Sequence, residues 1–304
     1  MEEVDYIWMN GKFVKWADAK IHFLTHALHY GSAVFEGLRC YNTSKGPAIF
    51  RLKDHTKRLF YSAEVFGIKI PYSEEEINSA TLELMKKNNL KEGYIRPLVY
   101  CGYGQMGLST KGAKIDVGIA AWPWGSYLGE DGLKNGISMT ISKWIRPPTN
   151  IMPTNAKVSG NYVNSIIAKV DALDSGFDEA ILLDFKGNVA ECTGENIFIV
   201  KNNELIVPPT DNTLKGITRN SVMQIAEDFG IKVKEEFFSS GDLYSADEAF
   251  LTGTAAELTP IREVDKNKIG EGKPGPITKK IQEKYFDILH GKDEKYENWL
   301  DYVK

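Results

Sequence analysis

One lysine stands out for its surroundings. The run Pro153-Thr-Asn-Ala-Lys157-Val-Ser-Gly-Asn-Tyr162 sets it between a proline-broken apolar stretch and a helix start, with no other charge from Met152 to Ile167. Few solvating neighbours disfavour the ammonium form, which lowers the pKa of the amine. An amine poised in this way can attack a carbonyl and form a Schiff base. An ordinary lysine at the rim of a helix is the plain alternative, so the reading depends on partners elsewhere in the chain.

Two stretches have the composition of anion cradles. Gly216-Ile217-Thr218-Arg219 puts a glycine, two backbone N–H groups and a hydroxyl at a helix N-terminus, where orphan donors and the helix dipole favour negative charge. Thr252-Gly253-Thr254-Ala255-Ala256 is a small-residue turn after a strand, as in a backbone nest. Either alone also fits an ordinary capped turn. No GxxxxGK[ST] loop occurs and no GxGxxG follows a strand, so nucleotide binding has no support. Glu191 and Glu195 stand four apart at the end of a hairpin in neutral surroundings. Surface carboxylates would look the same, yet a carboxylate there could hold a pyridine nitrogen protonated as an electron sink. His22, His26 and His29 have the spacing of one helical face, but no acidic residue joins them in an HExxH arrangement. The expectation is structural histidines and no metal. No GxSxG elbow supports a serine nucleophile.

The elements that must position these groups can be read from composition and periodicity. The chain has 304 residues, 42% hydrophobic and 26% charged, which fits a soluble globular protein of two domains. A chain of that size buries roughly 75% of its unfolded surface and needs no disulfides. Its Cys40, Cys101 and Cys192 are odd in number and far apart, which argues against a disulfide framework or a cysteine-rich metal site. A net charge of -4 without a basic stripe argues against nucleic acid or an anionic membrane as partner. No apolar run approaches the ~20 residues of a membrane span, and the acidic start has no signal-peptide pattern. A cytoplasmic location is expected.

An Asn10-Gly11 type I′ turn joins two short strands. A charge-poor aromatic stretch covers 21–41. A strand at 48–52, an amphipathic helix from Asp54 to Phe66 closed by Gly67, and a helix from Ser73 with a Glu76 capping box follow. Strands at 94–100 and 115–122 complete a small α/β domain over 1–122. Residues 123–136 read as an interdomain loop, whose Trp124 and Tyr127 are bulkier than a plain linker needs. The larger domain, 137–304, carries a strand at 137–142, a helix at 160–174 and a run of strands between 179 and 207. Beyond these come a helix from Gly216 to Phe229, a strand at 232–237, strands at 248–252 and 257–264, and a last helix at 277–289. The tail beyond Gly291 is charged but holds Tyr296, Trp299 and Tyr302, so it is expected to dock.

A set of motifs recurs along this frame in order: His26-Ala-Leu-His-Tyr-Gly31, Phe35-Glu-Gly37-Leu-Arg-Cys-Tyr41, Tyr94-Ile-Arg96-Pro-Leu98, Pro123-Trp124-Gly125, Ala156-Lys157-Val-Ser-Gly-Asn-Tyr162, Glu191-Cys-Thr-Gly-Glu-Asn-Ile-Phe198, Gly216-Ile-Thr-Arg219 and Thr252-Gly-Thr-Ala-Ala256. In them the chain resembles the fold-type IV pyridoxal-phosphate aminotransferases, most closely the branched-chain-amino-acid aminotransferases. The likeness covers essentially the whole chain. One departure is Val207, where the class signature usually has a threonine, at a position not expected to touch the cofactor.

The resemblance implies an α/β (α+β type) two-domain enzyme, with a small N-terminal α/β domain and a larger mixed, β-barrel-like C-terminal domain with helices. It implies pyridoxal 5'-phosphate as cofactor, joined to Lys157 as a Schiff base. Lys157 would then move the proton between the substrate Cα and the cofactor C4′. Glu191 would pair with the pyridine nitrogen and Tyr162 with the 3′ oxygen, while Arg58, Ile217, Thr218 and Thr254 would take the phosphate. Thr254-Ala255-Ala256 would offer backbone donors to the substrate α-carboxylate. Phe35, Trp124, Tyr127 and Tyr162 would form apolar walls beside Gly37, and Arg96 with Tyr30 and Tyr94 would bind the γ-carboxylate of glutamate. Met106 and Leu108 resemble residues that reach a neighbouring subunit's pocket, which implies a homodimer as minimal unit and allows a hexamer. The implied reaction is transamination of L-leucine, L-isoleucine and L-valine with 2-oxoglutarate. A D-amino-acid aminotransferase or an aminodeoxychorismate lyase of the same fold would share Lys157, Glu191 and the phosphate contacts. Tyr94, Arg96 and the Phe35–Tyr41 run favour the branched-chain enzyme. A scaffold protein that had lost its cofactor would have an eroded lysine or phosphate turn, and neither is eroded.

Overall fold

The computed structural model describes residues 2–304, which fall into two compact units. Among the described residues, one comprises 2–125, Ala156–Gly160 and Ile288–Lys304; the other comprises Ser126–Asn155 and Asn161–Asp287. The first unit is therefore discontinuous in sequence, a feature that a division into 1–122, 123–136 and 137–304 does not contain. The short segment 156–160 belongs to it for a visible reason. The Phe35 N–H donates to the Lys157 carbonyl at 3.1 Å, and the Lys157 N–H donates to Ser62 Oγ at 2.9 Å.

An eight-stranded sheet forms the first unit. Its order is Leu300–Tyr302, Gly46–Phe50, Leu38–Thr43, Gly93–Cys101, Ile115–Trp122, Tyr6–Met9, Lys12–Lys15, with Ala33–Phe35 also pairing Gly93–Cys101. The Asn10-Gly11 turn forms as expected: both residues have positive φ, the twist that a two-residue hairpin requires. The helices Leu52–Val65 and Glu74–Lys87 contribute Leu59, Ala63, Ile77 and Leu84 to a core shared with Ile49, Ile95, Val99 and Ile119 of the strands. The second helix has the reciprocal capping box between Ser73 and Glu76. The aromatic stretch at 21–41 contains two strands that periodicity did not reveal, Ala33–Phe35 and Leu38–Thr43. Both are buried on both faces over most of their length, so no alternation marks them. The tail docks by main-chain pairing, with Leu300↔Phe50 and Tyr302↔Ala48 in antiparallel register.

The second unit is built on a mixed nine-stranded sheet. Its order is Val189–Cys192, Glu179–Leu183, Ile137–Ile141, Glu257–Val264, Glu248–Gly253, Asn196–Lys201, Glu204–Val207, Val233–Glu235, with Asn267–Lys268 paired to Glu257–Val264. The segment that follows Val233–Glu235, at one end of that order, reaches the other end. Asn188 bridges Ser239 and the Val189 N–H donates to the Phe238 carbonyl at 2.9 Å, which gives the sheet its barrel-like closure. The strand at 232–237 is shorter than its composition predicts, spanning Val233–Glu235. Within 123–136, expected as loop, Gly129–Asn135 forms a helix. No helix among the described residues is long and apolar enough to cross a membrane.

Candidate active site

The first unit holds its candidate site residues as long side chains fixed by buried partners. Lys157 is half-buried, and its backbone is clamped on both sides by the Phe35 and Ser62 hydrogen bonds described above. A close backbone approach secures the same segment: a Cβ on Gly31 would lie 2.9 Å from Gly160 Cα. The Lys157 Nζ sits 4.8 Å from the centroid of the Phe35 ring, and the Arg96 guanidinium carbon sits 4.7 Å from the centroid of that same ring. One aromatic ring thus lies beside both an amine and a guanidinium.

Arg96 also donates from Nη2 to the Tyr94 hydroxyl at 3.3 Å. Gly37 makes room for that hydroxyl, since a Cβ there would come within 1.9 Å of it. The Trp124 indole stands edge-on to Tyr94, with centroids 4.6 Å apart. Arg39 fixes the backbone behind it, its Nη2 donating to the Trp124 and Gly125 carbonyls at 2.9 and 2.8 Å. Tyr30 ends the short helix His26–Tyr30 and is exposed.

Met106 and Leu108 lie on the exposed loop between Gly93–Cys101 and Ile115–Trp122. His26 ties that loop down, one ring nitrogen 2.6 Å from Ser32 Oγ and the other 2.6 Å from the Gly107 carbonyl. His29 Nε2 meets the Phe23 carbonyl, and His22 Nδ1 accepts from the Leu24 N–H. Each of the three imidazoles therefore has a local partner of its own.

Arg58 brings with it residues that sequence reasoning missed. Its Nε lies 2.6 Å from Glu36 Oε1, and its Nη2 donates to Glu36 Oε2 at 2.9 Å. The His55 Nδ1 meets Glu36 Oε2 at 2.7 Å. Glu36 and His55 are fully buried. Burial works to raise the Glu36 carboxyl, but Arg58 and the His55 contact overcome it and hold the group well below the usual carboxylate range. Burial pushes His55 below its ordinary value against the pull of Glu36, with Arg58 and Lys157 adding to the downward shift. A signal for this cluster was present: His55, Arg58 and Ser62 fall at i, i+3 and i+7 on one face of the helix Leu52–Val65.

The second unit offers mostly main chain. The helix Ile217–Asp228 starts as the sequence predicts, with Gly216 at its N-cap and no side chain capping it. Ile217 and Thr218 are buried. Only glycine fits at 216, where a Cβ would approach Asn196 Oδ1 to 2.0 Å. Asn196 in turn donates from Nδ2 to the Leu214 carbonyl at 3.1 Å, and the Leu214 N–H donates to Glu191 Oε2 at 3.2 Å. Those contacts bring the helix start and the Glu191 hairpin together. Arg146, which sequence reasoning also missed, places its Nε 2.6 Å from Glu191 Oε1, without the alignment of a hydrogen bond. Its sequence surroundings, a lone arginine before Pro147-Pro148, gave no such signal. Thr254, Ala255 and Ala256 form the turn between Glu248–Gly253 and Glu257–Val264. Gly253 is pressed against Glu195, whose Cγ would lie 3.1 Å from a Cβ. Tyr162 opens the helix Tyr162–Asp174, and Tyr127 lies beneath the Lys169 ammonium, 5.7 Å from its ring centroid.

Comparison with known proteins follows this pattern. The profile of the amino-transferase class IV family matches residues 33–264. The branched-chain-amino-acid aminotransferase of Pseudomonas aeruginosa is 50% identical, over 98% of this chain and 97% of its own. Among solved structures, the branched-chain amino acid aminotransferase of Escherichia coli superposes with a TM-score of 0.97 at 45% identity, covering 99% of this chain and 100% of its own. A T.th. branched-chain amino acid aminotransferase complexed with N-(5'-phosphopyridoxyl)-L-glutamate gives a TM-score of 0.95 at 45% identity, over 100% of both chains. The chain belongs to the class IV aminotransferases and, by likeness over nearly its whole length, to their branched-chain-amino-acid members.

Proposed function

We propose that this protein transfers the amino group of L-leucine, L-isoleucine or L-valine to 2-oxoglutarate, yielding the branched-chain 2-oxo acids and L-glutamate, with pyridoxal 5'-phosphate as cofactor. The observation that carries the reading is the shared Phe35 ring, with the Lys157 amine and the Arg96 guanidinium each beside it. A substrate reacting at Lys157 can run an aliphatic side chain along an aromatic wall. A glutamate side chain in the same place meets a guanidinium, the fitting partner of a planar carboxylate. The relative bound to a phosphopyridoxyl-glutamate supports this reading.

The donor set suits the cofactor. It includes a primary amine, a helix N-terminus that no side chain caps, a buried carboxylate in Glu191 and a guanidinium in Arg58. When bound, pyridoxal phosphate supplies a conjugated ring that takes up the electron pair left as the substrate Cα loses its proton. Lys157 Nζ takes that proton and returns it. Glu191, beside Arg146, would pair with the pyridine nitrogen and keep a proton there. The Tyr162 hydroxyl donates to the 3′ oxygen. Arg58, the Ile217 and Thr218 N–H groups and Thr254 hold the phosphate, and the turn through Ala255 and Ala256 offers N–H groups to the substrate α-carboxylate. Phe35, Trp124, Tyr127 and Tyr162 exclude water around the side chain. Tyr30 and Tyr94 join Arg96 at the γ-carboxylate, with Tyr94 hydrogen-bonded to Arg96, and Gly37 leaves space for Tyr94.

The test is a half-reaction screen of L-leucine, L-valine, L-glutamate and D-alanine, following the cofactor absorption band. The L-substrates are expected to shift the band and D-alanine to leave it. A response to D-alanine alone would instead favour the D-amino-acid enzyme of the same fold. Arg96→Ala is expected to slow the glutamate half-reaction by about 100-fold, the cost of a lost charged hydrogen bond, and the leucine one far less. Equal losses would remove Arg96 from the γ-carboxylate role. The minimal unit is a homodimer located in the cytoplasm. Leu108, 87% exposed, and Met106, 45% exposed, are then completed by a second copy, and a fully active monomer in light scattering would exclude this.

A further inference from the structure

We infer that Glu36 is a positioning residue for cofactor binding: its buried carboxylate grips one edge of the Arg58 guanidinium and thereby aims the other edge at the cofactor phosphate. This rests on the reading of Arg58 as a phosphate contact and extends it. Nothing in the reaction requires a carboxylate at position 36, yet the chain buries one completely. Removing a carboxylate from water is costly unless it is paired and hydrogen-bonded, so the burial needs a purpose.

Geometry supplies one. Glu36 binds the Nε/Nη2 edge of Arg58 in a two-pronged fork, 2.6 Å to Oε1 and 2.9 Å to Oε2. The guanidinium plane is thereby fixed, and of its three nitrogens only Nη1 stands outside the fork to Glu36. Oε2 also meets the His55 Nδ1 at 2.7 Å, and the adjacent Gly37 N–H donates to it at 3.2 Å. The carboxylate itself is carried on a fixed backbone. The Glu36 N–H donates to the Pro97 carbonyl at 2.9 Å, and the preceding Phe35 N–H donates to the Lys157 carbonyl at 3.1 Å. His55 and Arg58 lie on the helix face whose Ser62 accepts the Lys157 N–H. One helix face and one strand end therefore set both the Lys157 backbone and the guanidinium. An arginine pre-ordered in this way loses little rotamer freedom when an anion arrives.

The test uses protein resolved of its cofactor and titrated with pyridoxal 5'-phosphate and, separately, with pyridoxal, which lacks the phosphate. The ratio of the two dissociation constants isolates the phosphate's contribution. Glu36→Gln is expected to weaken pyridoxal 5'-phosphate binding at least tenfold and to leave pyridoxal within about threefold. Glu36→Asp keeps the charge one methylene short, and the ratio for it is expected to fall between those of Glu36→Gln and the wild type. Arg58→Lys is measured beside them. An unchanged ratio in Arg58→Lys sinks the reading of Arg58 as a phosphate contact. A ratio that falls in Arg58→Lys but stays at the wild-type value in both Glu36 variants overturns the positioning role alone. Equal weakening of both ligands, or loss of the folded circular-dichroism spectrum in both Glu36 variants, also overturns it, since either would mean that Glu36 serves folding rather than Arg58.

Discussion

The two units contribute chemistry of different kinds. The first presents the tips of long side chains: the Lys157 amine and the Arg58 and Arg96 guanidiniums, each oriented by a buried or aromatic partner. The second holds a helix start at Ile217–Asp228 that no side chain caps, a small-residue turn after Gly253 and the buried carboxylate of Glu191. Side-chain groups are built by holding partly buried charges against fixed partners, so they answer to charge and to pH. Main-chain groups are built by letting backbone come close, so they answer to the addition of a single carbon. The difference predicts which substitutions each half of the chemistry tolerates.

The largest expected effect is at Lys157. Lys157→Ala should leave the fold intact and lower transamination about 10⁴-fold, the upper range for losing a positioned proton-transfer group. A variant with more than a tenth of wild-type turnover would show that the amine is dispensable.

The second unit should show the reverse sensitivity. Gly216→Ala introduces a Cβ 2.0 Å from Asn196 Oδ1 and should cost about 1–3 kcal/mol of stability by overpacking, with weaker cofactor binding. Thr218→Ala removes a hydroxyl but leaves the main chain, and should weaken cofactor binding by less than about tenfold, the worth of one hydrogen bond. A larger loss in Thr218→Ala than in Gly216→Ala would transfer the anion-binding role from backbone to side chain.

The smallest effect concerns pH and belongs to the first unit. His55 and Glu36 both titrate below their ordinary values in the folded chain, so the unfolded chain binds the extra protons as pH falls. Stability contributed by these groups is present at neutral pH and is lost on acidification, beginning near the ordinary His value of about 6.5 and continuing below the ordinary Glu value of about 4.3. One such proton costs at most about 1.4 kcal/mol per pH unit. Melting temperature should fall between pH 7 and 5.5, with a shallower slope in His55→Gln. An identical slope in that variant would place the titration elsewhere. The groups facing His55 are Glu36, Arg58 and Lys157, so His55→Gln must be read against unchanged cofactor binding.

What the sequence by itself determined was local. The Ser73 capping box, the Asn10-Gly11 hairpin and the helix start at Gly216 formed as composition dictated, because each depends on groups within a few residues of one another. The ordered motifs likewise identified the family, since each is a short run. Tertiary structure decided what depends on long-range approach. The segment 156–160 packs with the first unit because Phe35 and Ser62 claim its main chain, a pairing that no spacing announces. The strands Ala33–Phe35 and Leu38–Thr43 escaped notice because, buried on both faces over most of their length, they lack alternation. Glu36 read as one letter of a motif until the fold placed His55 and Arg58 around it. A buried charge is tolerable only beside its partners, and only the folded chain assembles them.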